Sequence, residues 1–431
     1  MAPPQVSFPI RVQNCDPPTQ NELVARQNPK WLAWTVKEEK EAVGKEPPMR
    51  FVRPAWRQPP SVRDAKELLE YYAGMFRPLI PLAGGYRVSY FNEGATSVLF
   101  LINNIRIGDT SRYGKPGCMQ LPSELLLRVT VPWAPYYGVE NEVATTLYVS
   151  KLEIPVPKIY FFDSSGSNPL GLDLILLERI PGTTAEDLLQ KLQNPQGPYR
   201  GKNFDANEVE RGLASEAVGY LSEDLWDASK TFTHFGSLYR DWGHAKNFFV
   251  GPLIDHLLFA PTVGGICIDR GPYPDWLSMF EGAFEYRMGL DWDKIRAAAP
   301  HDHHGQPKAA ADGRKTGAKP AETEKRIRAL YLRTQKELAA LAAGNDGEAA
   351  ALKPRMTHGD CHGGNVIVSP PPDSQIQAII DWESASILPA CMFPRRPDIA
   401  AGHGFEALPE TKTQASTTFG YCWSALYTII D

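Results

Sequence analysis

Strand-like and helix-like segments are separated along this chain, and that order limits the possible folds more than any single motif does. Short apolar or alternating runs predict strands at Tyr86–Phe91, Thr96–Ile102, Glu124–Val131, Lys158–Phe162 and Asp173–Ile180. Helical spacing predicts helices at Val62–Met75, Glu140–Leu152, Asn207–Trp226 and Ile327–Leu341. A capping box formed by Thr183 and Glu186 predicts the start of a further helix. Strands that mostly precede helices favour an α+β fold with a small antiparallel sheet and a larger helical part.

The chain divides into three predicted regions. Residues 1–60, rich in proline and charge, are expected to wrap around the rest as an N-terminal extension. Residues 61–180 hold the predicted strands, and residues 181–431 hold most of the helices together with a flexible insertion at 301–323. Within the extension, we expect burial against the chain's own domain, and not partner binding, for the tryptophans Trp31, Trp34 and Trp56.

Composition excludes several classes of protein. The chain has 431 residues, 43% of them hydrophobic and 22% charged, which excludes global disorder. A net charge of −5 without a basic stripe argues against a nucleic-acid partner. No apolar run approaches the roughly 20 residues of a membrane helix. Six scattered cysteines favour reduced thiols and a cytoplasmic location. A solvated loop is favoured over a metal site for His301, His303 and His304.

The segment His358-Gly-Asp-Cys-His-Gly-Gly-Asn365 carries the chemistry. Asp360 can accept a proton from a hydroxyl group, and Asn365, five residues later, can reach a divalent ion from the same loop. Asp381 ends the apolar strand that follows, where a carboxylate can bridge Mg2+ to nucleotide phosphates. Turn chemistry alone also explains Asp, His and Asn in one loop. The fixed Asn365 spacing, the flanking strands and the closing Asp381-Trp-Glu favour the functional interpretation.

These motifs resemble those of the aminoglycoside phosphotransferase and choline-kinase-like family, including its fungal members. The resemblance covers about residues 85–390. Beyond the loop it rests on Phe91-Asn-Glu-Gly94, the helix starting Glu142-Val-Ala, Ile154-Pro-Val-Pro157, Asn168-Pro-Leu-Gly171 and Leu176-Leu-Glu-Arg-Ile-Pro-Gly182. It implies a bilobal, protein-kinase-like fold that binds ATP and Mg2+ in a cleft between the lobes.

The resemblance also implies roles for residues outside the loop. Arg128 would pair with the ATP phosphates, held by Glu142, and Gly94 would lie in the turn over the phosphates. The linker that faces adenine would contain Leu177, Glu178 and Ile180. Alternatives remain: Arg128 can be a solvent-facing strand residue, Glu140 lies close to Glu142, and a single glycine is often only a hairpin turn.

The leading hypothesis is an ATP-dependent kinase that moves the γ-phosphoryl group to a hydroxyl of a small molecule. The resemblance makes His358 and His362 hydrogen-bonding residues of the loop and Cys361 a spacer. The competing hypothesis is a catalytically silent member that binds nucleotide or acts as a scaffold. The family generally continues with further helices beyond a Pro-rich stretch like 389–397, so the wall of the acceptor site is expected to be incomplete. The sequence identifies neither the acceptor nor the oligomeric state.

Overall fold

The structure is a computed structural model, which describes most of the chain between residues 9 and 392. The described ranges are 9–13, 15–38, 50–75, 86–103, 122–194, 196–199, 205–244, 247–263, 269–290 and 352–392, with single positions between 325 and 350. The predicted insertion at 301–323 and its histidines lie outside these residues. Of the predicted helix at 327–341 only single positions are described, and those, such as Tyr331 and Leu332, are helical.

A twisted sheet forms the first half of the described chain. In the described residues it has six strands, in the order β1-β7-β8-β6-β5-β4, and only the β1–β7 pair is parallel. The strands are β1 (Ile10–Arg11), β4 (Arg87–Glu93), β5 (Ser97–Asn103), β6 (Glu124–Thr130), β7 (Ile159–Asp163) and β8 (Asp173–Glu178). The central strand β6 is an almost continuous apolar run and is buried along nearly its whole length, as expected of a strand covered on both faces. All five predicted strands are confirmed within about two residues.

Two helices pack near this sheet. Helix α2 (Val62–Met75) has the predicted bounds. Helix α3 (Tyr137–Ser150) begins three residues before the predicted Glu140, because the chain turns at Tyr136, whose φ of 72° lies in the left-handed region. Most of α3 is buried, which is unusual for a helix with a polar first half and indicates contacts on several sides.

The described part of the N-terminal extension is folded and packed on the same core. It contains α1 (Gln20–Arg26) and an antiparallel hairpin of β2 (Leu32–Glu38) with β3 (Arg50–Trp56). The expected burial of the tryptophans is confirmed, since the buried core includes Trp31, Trp34 and Trp56. Strand β1 adds the extension to the edge of the sheet. The sequence did not predict the hairpin.

Helices dominate the next part of the chain. Helix α4 (Ala185–Gln193) follows the short strand β9 (Thr183–Thr184). The predicted capping box is wrong by one residue: Thr184 Oγ1, not that of Thr183, accepts the cap bond, from Asp187 N at 3.0 Å. The predicted 207–226 helix is confirmed as α5 (Ala206–Val218), a π-helical turn (Gly219–Asp224) and α6 (Leu225–Ser229).

Short strands and two more helices complete the described fold. They are β10 (Ser237–Arg240), β11 (Phe248–Gly251), α7 (His256–Phe259), α8 (Trp276–Met288), β12 (Pro354–Thr357), β13 (Val366–Val368), β14 (Ile376–Ile379) and β15 (Ser386–Pro389). Strands β13 and β14 pair antiparallel around the proline-rich turn between them. The α+β class is confirmed, and the division into lobes near residue 180 stays a prediction. Across the described residues, no helix is both long and apolar enough to cross a membrane.

Candidate active site

The loop from His358 to Asn365 lies between β12 and β13, and its backbone requires glycine at one position. Gly359 has φ of +86°, and a Cβ atom there would come within 2.4 Å of the carbonyl oxygen of Ser384. An L-residue at 359 would therefore be strained and would also collide with backbone. The close approach brings the loop against the segment after Asp381, so the two halves of the motif are in contact.

His358 ties this loop to the end of β14. Its Nε2 lies 2.9 Å from the carbonyl oxygen of Ile380, and its Nδ1 accepts a hydrogen bond from the backbone N–H of Asp360 at 3.3 Å. Burial lowers the pKa of His358, which favours the neutral ring that this pattern of one donor and one acceptor requires. Its ring also packs on buried Trp382, with centroids 4.4 Å apart. His358 therefore fixes the backbone on which Asp360 lies.

Asn365 and Asp360 are linked through the loop backbone. The Asn365 amide nitrogen donates to the carbonyl oxygen of Asp360 at 2.9 Å, so the orientation of the amide is set and its oxygen is free of that bond. Asn365 is buried, whereas the Asp360 carboxylate is 58% exposed and lies 3.9 Å from His362 Nε2. The side chain of His362 caps the turn by accepting from the N–H of Gly364 at 3.0 Å.

Asp381 adopts a backbone conformation that few residues tolerate. Its φ of 69° and ψ of 53° lie in the left-handed region, where Asp and Asn occur more often than other non-glycine residues. Such a conformation costs of order 1–3 kcal/mol and is concentrated at functional positions. It directs the chain from β14 into the turn that carries Trp382 and Glu383. The Asp381 carboxylate is 33% exposed.

One guanidinium forms ion pairs with three carboxylates, including that of Asp381. Arg128, on β6, pairs with Glu142 of α3 through Nη1, and its Nη2 lies 2.7 Å from Asp381 Oδ1 and 2.6 Å from Glu383 Oε2. Thr96 donates to the other oxygen of Glu383. Arg128 is therefore buried and does not face solvent, and it contacts Glu142. Glu140 instead pairs with Arg11.

The charges in this cluster do not balance. Burial, reinforced by repulsion from Asp381, raises the pKa of Glu383 from 4.5 to about 7. Burial, reinforced by repulsion from Glu383 and Asp381, raises the pKa of Glu142 to about 8 despite its ion pair. Burial opposes the charge on Arg128, but the surrounding carboxylates raise its pKa, so it stays cationic. A single positive charge cannot neutralise three carboxylates, so the cluster favours uptake of a proton or of a further cation.

A cavity of about 550 Å3 lies beside this cluster. The apolar side chains in its lining include Leu99, Leu126, Ile159, Ile175 and Leu177, and the polar ones include Arg128, Glu142, Asn365 and Asp381. Of the residues singled out from the sequence, those that line it are Gly94, Arg128, Glu142, Leu177, Glu178, Ile180, Asn365 and Asp381. Asp360 does not line it. The structure thus brings the residues predicted to bind nucleotide or metal to a single cavity, without the predicted base Asp360.

The turn at Gly94 differs in detail from the expected phosphate loop. Its N–H donates to the carbonyl oxygen of Ser97 at 2.8 Å, and a Cβ atom on Gly94 would meet only ordinary contacts with Ser97. Glycine is therefore not sterically required at 94. Of the two hydroxyls in this turn, Thr96 is engaged by Glu383, whereas Ser97 lines the cavity.

The sequence interpretation missed Glu383 as a member of this cluster. Its signal was present, because Glu383 closes the Asp381-Trp-Glu motif two residues after Asp381. Residues Asn365 and Asp381 have the oxygen donors that suit Mg2+, which prefers one or two carboxylates and completes its shell with water and phosphate oxygens. Asp381 uses one oxygen for Arg128 and keeps the other. Within the described residues, no group of three or more His, Cys, Asp or Glu side chains has the arrangement of a metal site.

Comparison with known families supports the resemblance. Residues 290–392 match the model of the phosphotransferase enzyme family named APH. This segment contains the loop 358–365 and Asp381. The predicted resemblance to this family is therefore confirmed, through the part of the chain that carries the motif.

Individual relatives are more distant. A subtelomeric hrmA-associated cluster protein of Aspergillus fumigatus is 24% identical over 305 residues, covering 62% of this chain and 54% of that protein. Altered inheritance of mitochondria protein 9, mitochondrial, of Lachancea thermotolerans is 24% identical over 278 residues, covering 59% of this chain and 42% of that protein. The chain thus spans about half the length of the curated relatives it matches.

The solved streptomycin-ATP-APH(2")-IIa ternary complex has a TM-score of 0.40 and 12% identity, covering 82% of this chain and 84% of that chain. A likeness at that TM-score supports no further conclusion.

Proposed function

We propose that this protein is a kinase-like phosphotransferase that moves the γ-phosphoryl group of ATP to a hydroxyl group of a small molecule. The observation that carries the proposal is that Arg128, Asn365 and Asp381 converge on one cavity whose lining also includes a group of apolar side chains. A nucleotide likewise combines a flat base with charged phosphates. The family resemblance of residues 290–392 points to the same chemistry.

In this proposal the base of ATP lies between the apolar walls, beside the linker Leu177–Ile180. The phosphates extend toward Arg128, whose guanidinium is held by Glu142 and can bind phosphate oxygens at two points. Phosphate oxygens would take over contacts that Arg128 makes with Asp381 and Glu383. The Gly94 turn covers the phosphates from the sheet side.

Asn365 and Asp381 would hold Mg2+ through the Asn365 amide oxygen and the Asp381 oxygen that Arg128 leaves free. Bound Mg2+ would neutralise the negative charge that develops on the transferred phosphoryl group. The three carboxylates around one guanidinium support this assignment, because the cluster carries more negative charge than Arg128 balances.

Asp360 would act as the base. The acceptor oxygen forms a bond to the γ-phosphorus, the bond from that phosphorus to the bridging oxygen of the β-phosphate breaks, and ADP leaves. The proton of the acceptor hydroxyl passes to the Asp360 carboxylate. The exposed position of Asp360, outside the walls of the cavity, suits an acceptor that approaches from solvent while the nucleotide fills the cavity. His358 and Asn365 hold the loop backbone on both sides of it.

A nucleotide-binding protein without turnover is the second candidate. Two observations favour it: Arg128 is already engaged by three carboxylates, and Asp360 does not line the cavity. Binding of Mg-ATP without ADP release, across a wide panel of acceptors, is the result expected of such a protein.

The deciding experiment is ADP release with Mg-ATP and a panel of hydroxyl acceptors. We expect Asp360→Asn to lower kcat by about 100- to 10,000-fold while nucleotide binding is kept, because only proton transfer is lost. Asp241→Asn, in an exposed loop where Asp241 contacts His244, is the matched control and should leave kcat unchanged. Equal turnover by wild type and Asp360→Asn contradicts the role of Asp360, and no turnover with any acceptor supports the second candidate.

We also propose a cytoplasmic location, with no nucleic-acid partner. The mitochondrial name of one relative gives the competing outcome. Fluorescence microscopy of the tagged full-length protein distinguishes the two locations, and a mitochondrial signal contradicts the proposal.

A further inference from the structure

Two glutamates of helix α3, two residues apart, contact partners on opposite sides of the helix. Glu142 contacts Arg128 at the cavity, and Glu140 contacts Arg11 of the N-terminal extension. Side chains two residues apart on an α-helix are separated by a rotation of about 200° around the helix axis. The same turn of α3 therefore faces the cavity on one side and the extension on the other.

Glu140 is the centre of a buried polar cluster. Arg11 contacts Glu140 Oε1 with Nε at 2.8 Å and with Nη2 at 2.6 Å, and Ser164 Oγ donates to the same oxygen at 2.6 Å. Trp242 Nε1 donates to Oε2 at 2.8 Å. Glu140 is 2% exposed, so its charge depends on these partners. Of these three partners, Arg11 is the one that carries a positive charge.

A second pair from the extension holds the residue before α3. Arg26 Nη2 lies 2.6 Å from Asp173 Oδ1, and Asp173 Oδ2 accepts from the backbone N–H of Tyr136 at 2.6 Å. Tyr136 is the left-handed residue at which the chain turns into α3. Strand β1 keeps Arg11 in register, since Ile10 pairs with Phe161 of β7 and Arg11 with Phe162. Residues 10–26 thus reach the beginning of α3 directly through Arg11 and indirectly through Arg26, by way of Asp173.

We propose that the N-terminal extension positions the nucleotide site, with Arg11 as a positioning residue that acts through α3. Arg11 neutralises Glu140, Glu140 fixes the start of α3, and this part of the helix presents Glu142 to Arg128. Without Arg11, the buried charge of Glu140 keeps only the neutral donors Ser164 and Trp242, so the turn shifts and the Arg128 guanidinium loses its alignment. This inference rests on the proposed function, because it assigns nucleotide binding to the cavity beside Arg128.

Two measurements test it on the full chain. The first is amide hydrogen exchange of residues 137–142 without ligand, and the second is the dissociation constant of a non-hydrolysable ATP analogue with Mg2+, measured by calorimetry. For Arg11→Ala we expect faster exchange in this turn and a dissociation constant raised at least about tenfold, as for a buried charge left unpaired. Arg11→Lys keeps the positive charge with fewer hydrogen-bond donors, so its exchange rate and dissociation constant should lie between those of the wild type and of Arg11→Ala.

Thr19→Ala is the matched control. Thr19 forms the exposed capping box of α1 with Glu22, so its loss loosens the same extension without touching Glu140. It should leave both measurements at the wild-type values. Equal binding by Arg11→Ala and wild type, or equal weakening by Thr19→Ala, overturns the inference.

The double variant Arg11→Ala with Glu140→Gln tests whether Arg11 acts through Glu140. It removes the unpaired charge, so both the exchange of residues 137–142 and the dissociation constant should return toward the wild-type values. Weak binding that remains after the charge is removed overturns the inference, because Arg11 would then act by a route other than Glu140. A wild-type chain that binds no nucleotide overturns the proposed function itself, whereas binding that is independent of Arg11 overturns this inference alone.

Discussion

The Arg128 cluster should make the folding stability depend on pH, because Glu383, one of its carboxyl groups, changes its protonation near neutral pH. Burial raises the pKa of Glu383 from 4.5 to about 7 in the folded protein. The folded state therefore keeps a proton that the unfolded chain releases above about pH 4.5. The stabilising contribution is present in full below that pH and is lost as the pH rises through 7. A rise from 4.5 to about 7 corresponds to about 3 kcal/mol.

Glu383→Gln tests this reasoning, because glutamine resembles the protonated form at every pH. Between pH 5 and 8, the free energy of unfolding of the wild type should fall by about 2.5 kcal/mol more than that of the variant. Asp173, a buried carboxyl whose raised pKa has other causes, is present in both proteins and cancels in the difference. Glu142 does not cancel, because repulsion from Glu383 helps to raise its pKa; the loss of that repulsion in the variant acts in the same direction and widens the difference. Urea denaturation in EDTA, followed by tryptophan fluorescence, gives the free energies.

The control is Asp227→Asn, since the Asp227 side chain is 70% exposed in a surface pair with Lys230. Its free energy of unfolding should follow the wild-type dependence on pH. Parallel curves for wild type and Glu383→Gln would refute the reasoning, because they would mean that Glu383 holds no extra proton in the folded state.

Three further substitutions test the fold around the site by thermal denaturation. Gly359→Ala should lower the melting temperature and abolish nucleotide-dependent activity, because its Cβ would meet the Ser384 carbonyl oxygen; an unchanged melting temperature contradicts the tight turn. Gly212→Ala, in α5 with open space around it, should instead be neutral or stabilise by about 0.5–1 kcal/mol; a marked loss contradicts the helix assignment. Trp31→Ala should destabilise by about 3–5 kcal/mol, since the ring is buried and its Nε1 bonds the carbonyl oxygen of Leu170; wild-type stability contradicts a folded extension.

Local patterns in the sequence were sufficient for most of the sheet and for α2. The apolar run at Glu124–Thr130 and the amphipathic spacing at Val62–Met75 depend on neighbouring residues alone, so they predict the elements well. The capping residue was predicted one position early because Thr183 and Thr184 have the same side chain, and only the path of β9 against β13 decides between them. The β2–β3 hairpin was missed because proline and charge dominate residues 39–49 between its strands.

Long-range contacts limited how much of the candidate site could be predicted from the sequence. The motif predicted Asp360, Asn365 and Asp381 from spacing, but no local pattern reveals that Arg128 meets residues more than 250 positions away. The choice between Glu140 and Glu142 had the same origin, because it depends on Arg11 occupying Glu140. The catalytic, phosphate-binding and metal-binding roles of all these residues stay predictions.

The most direct test of the account is a crystal structure of the protein with Mg2+ and a non-hydrolysable ATP analogue. We expect the base between the apolar walls beside Leu177, the metal on Asn365 and Asp381, and the Arg128 guanidinium on the phosphates. Nucleotide bound elsewhere, or a metal that contacts neither Asn365 nor Asp381, would contradict it.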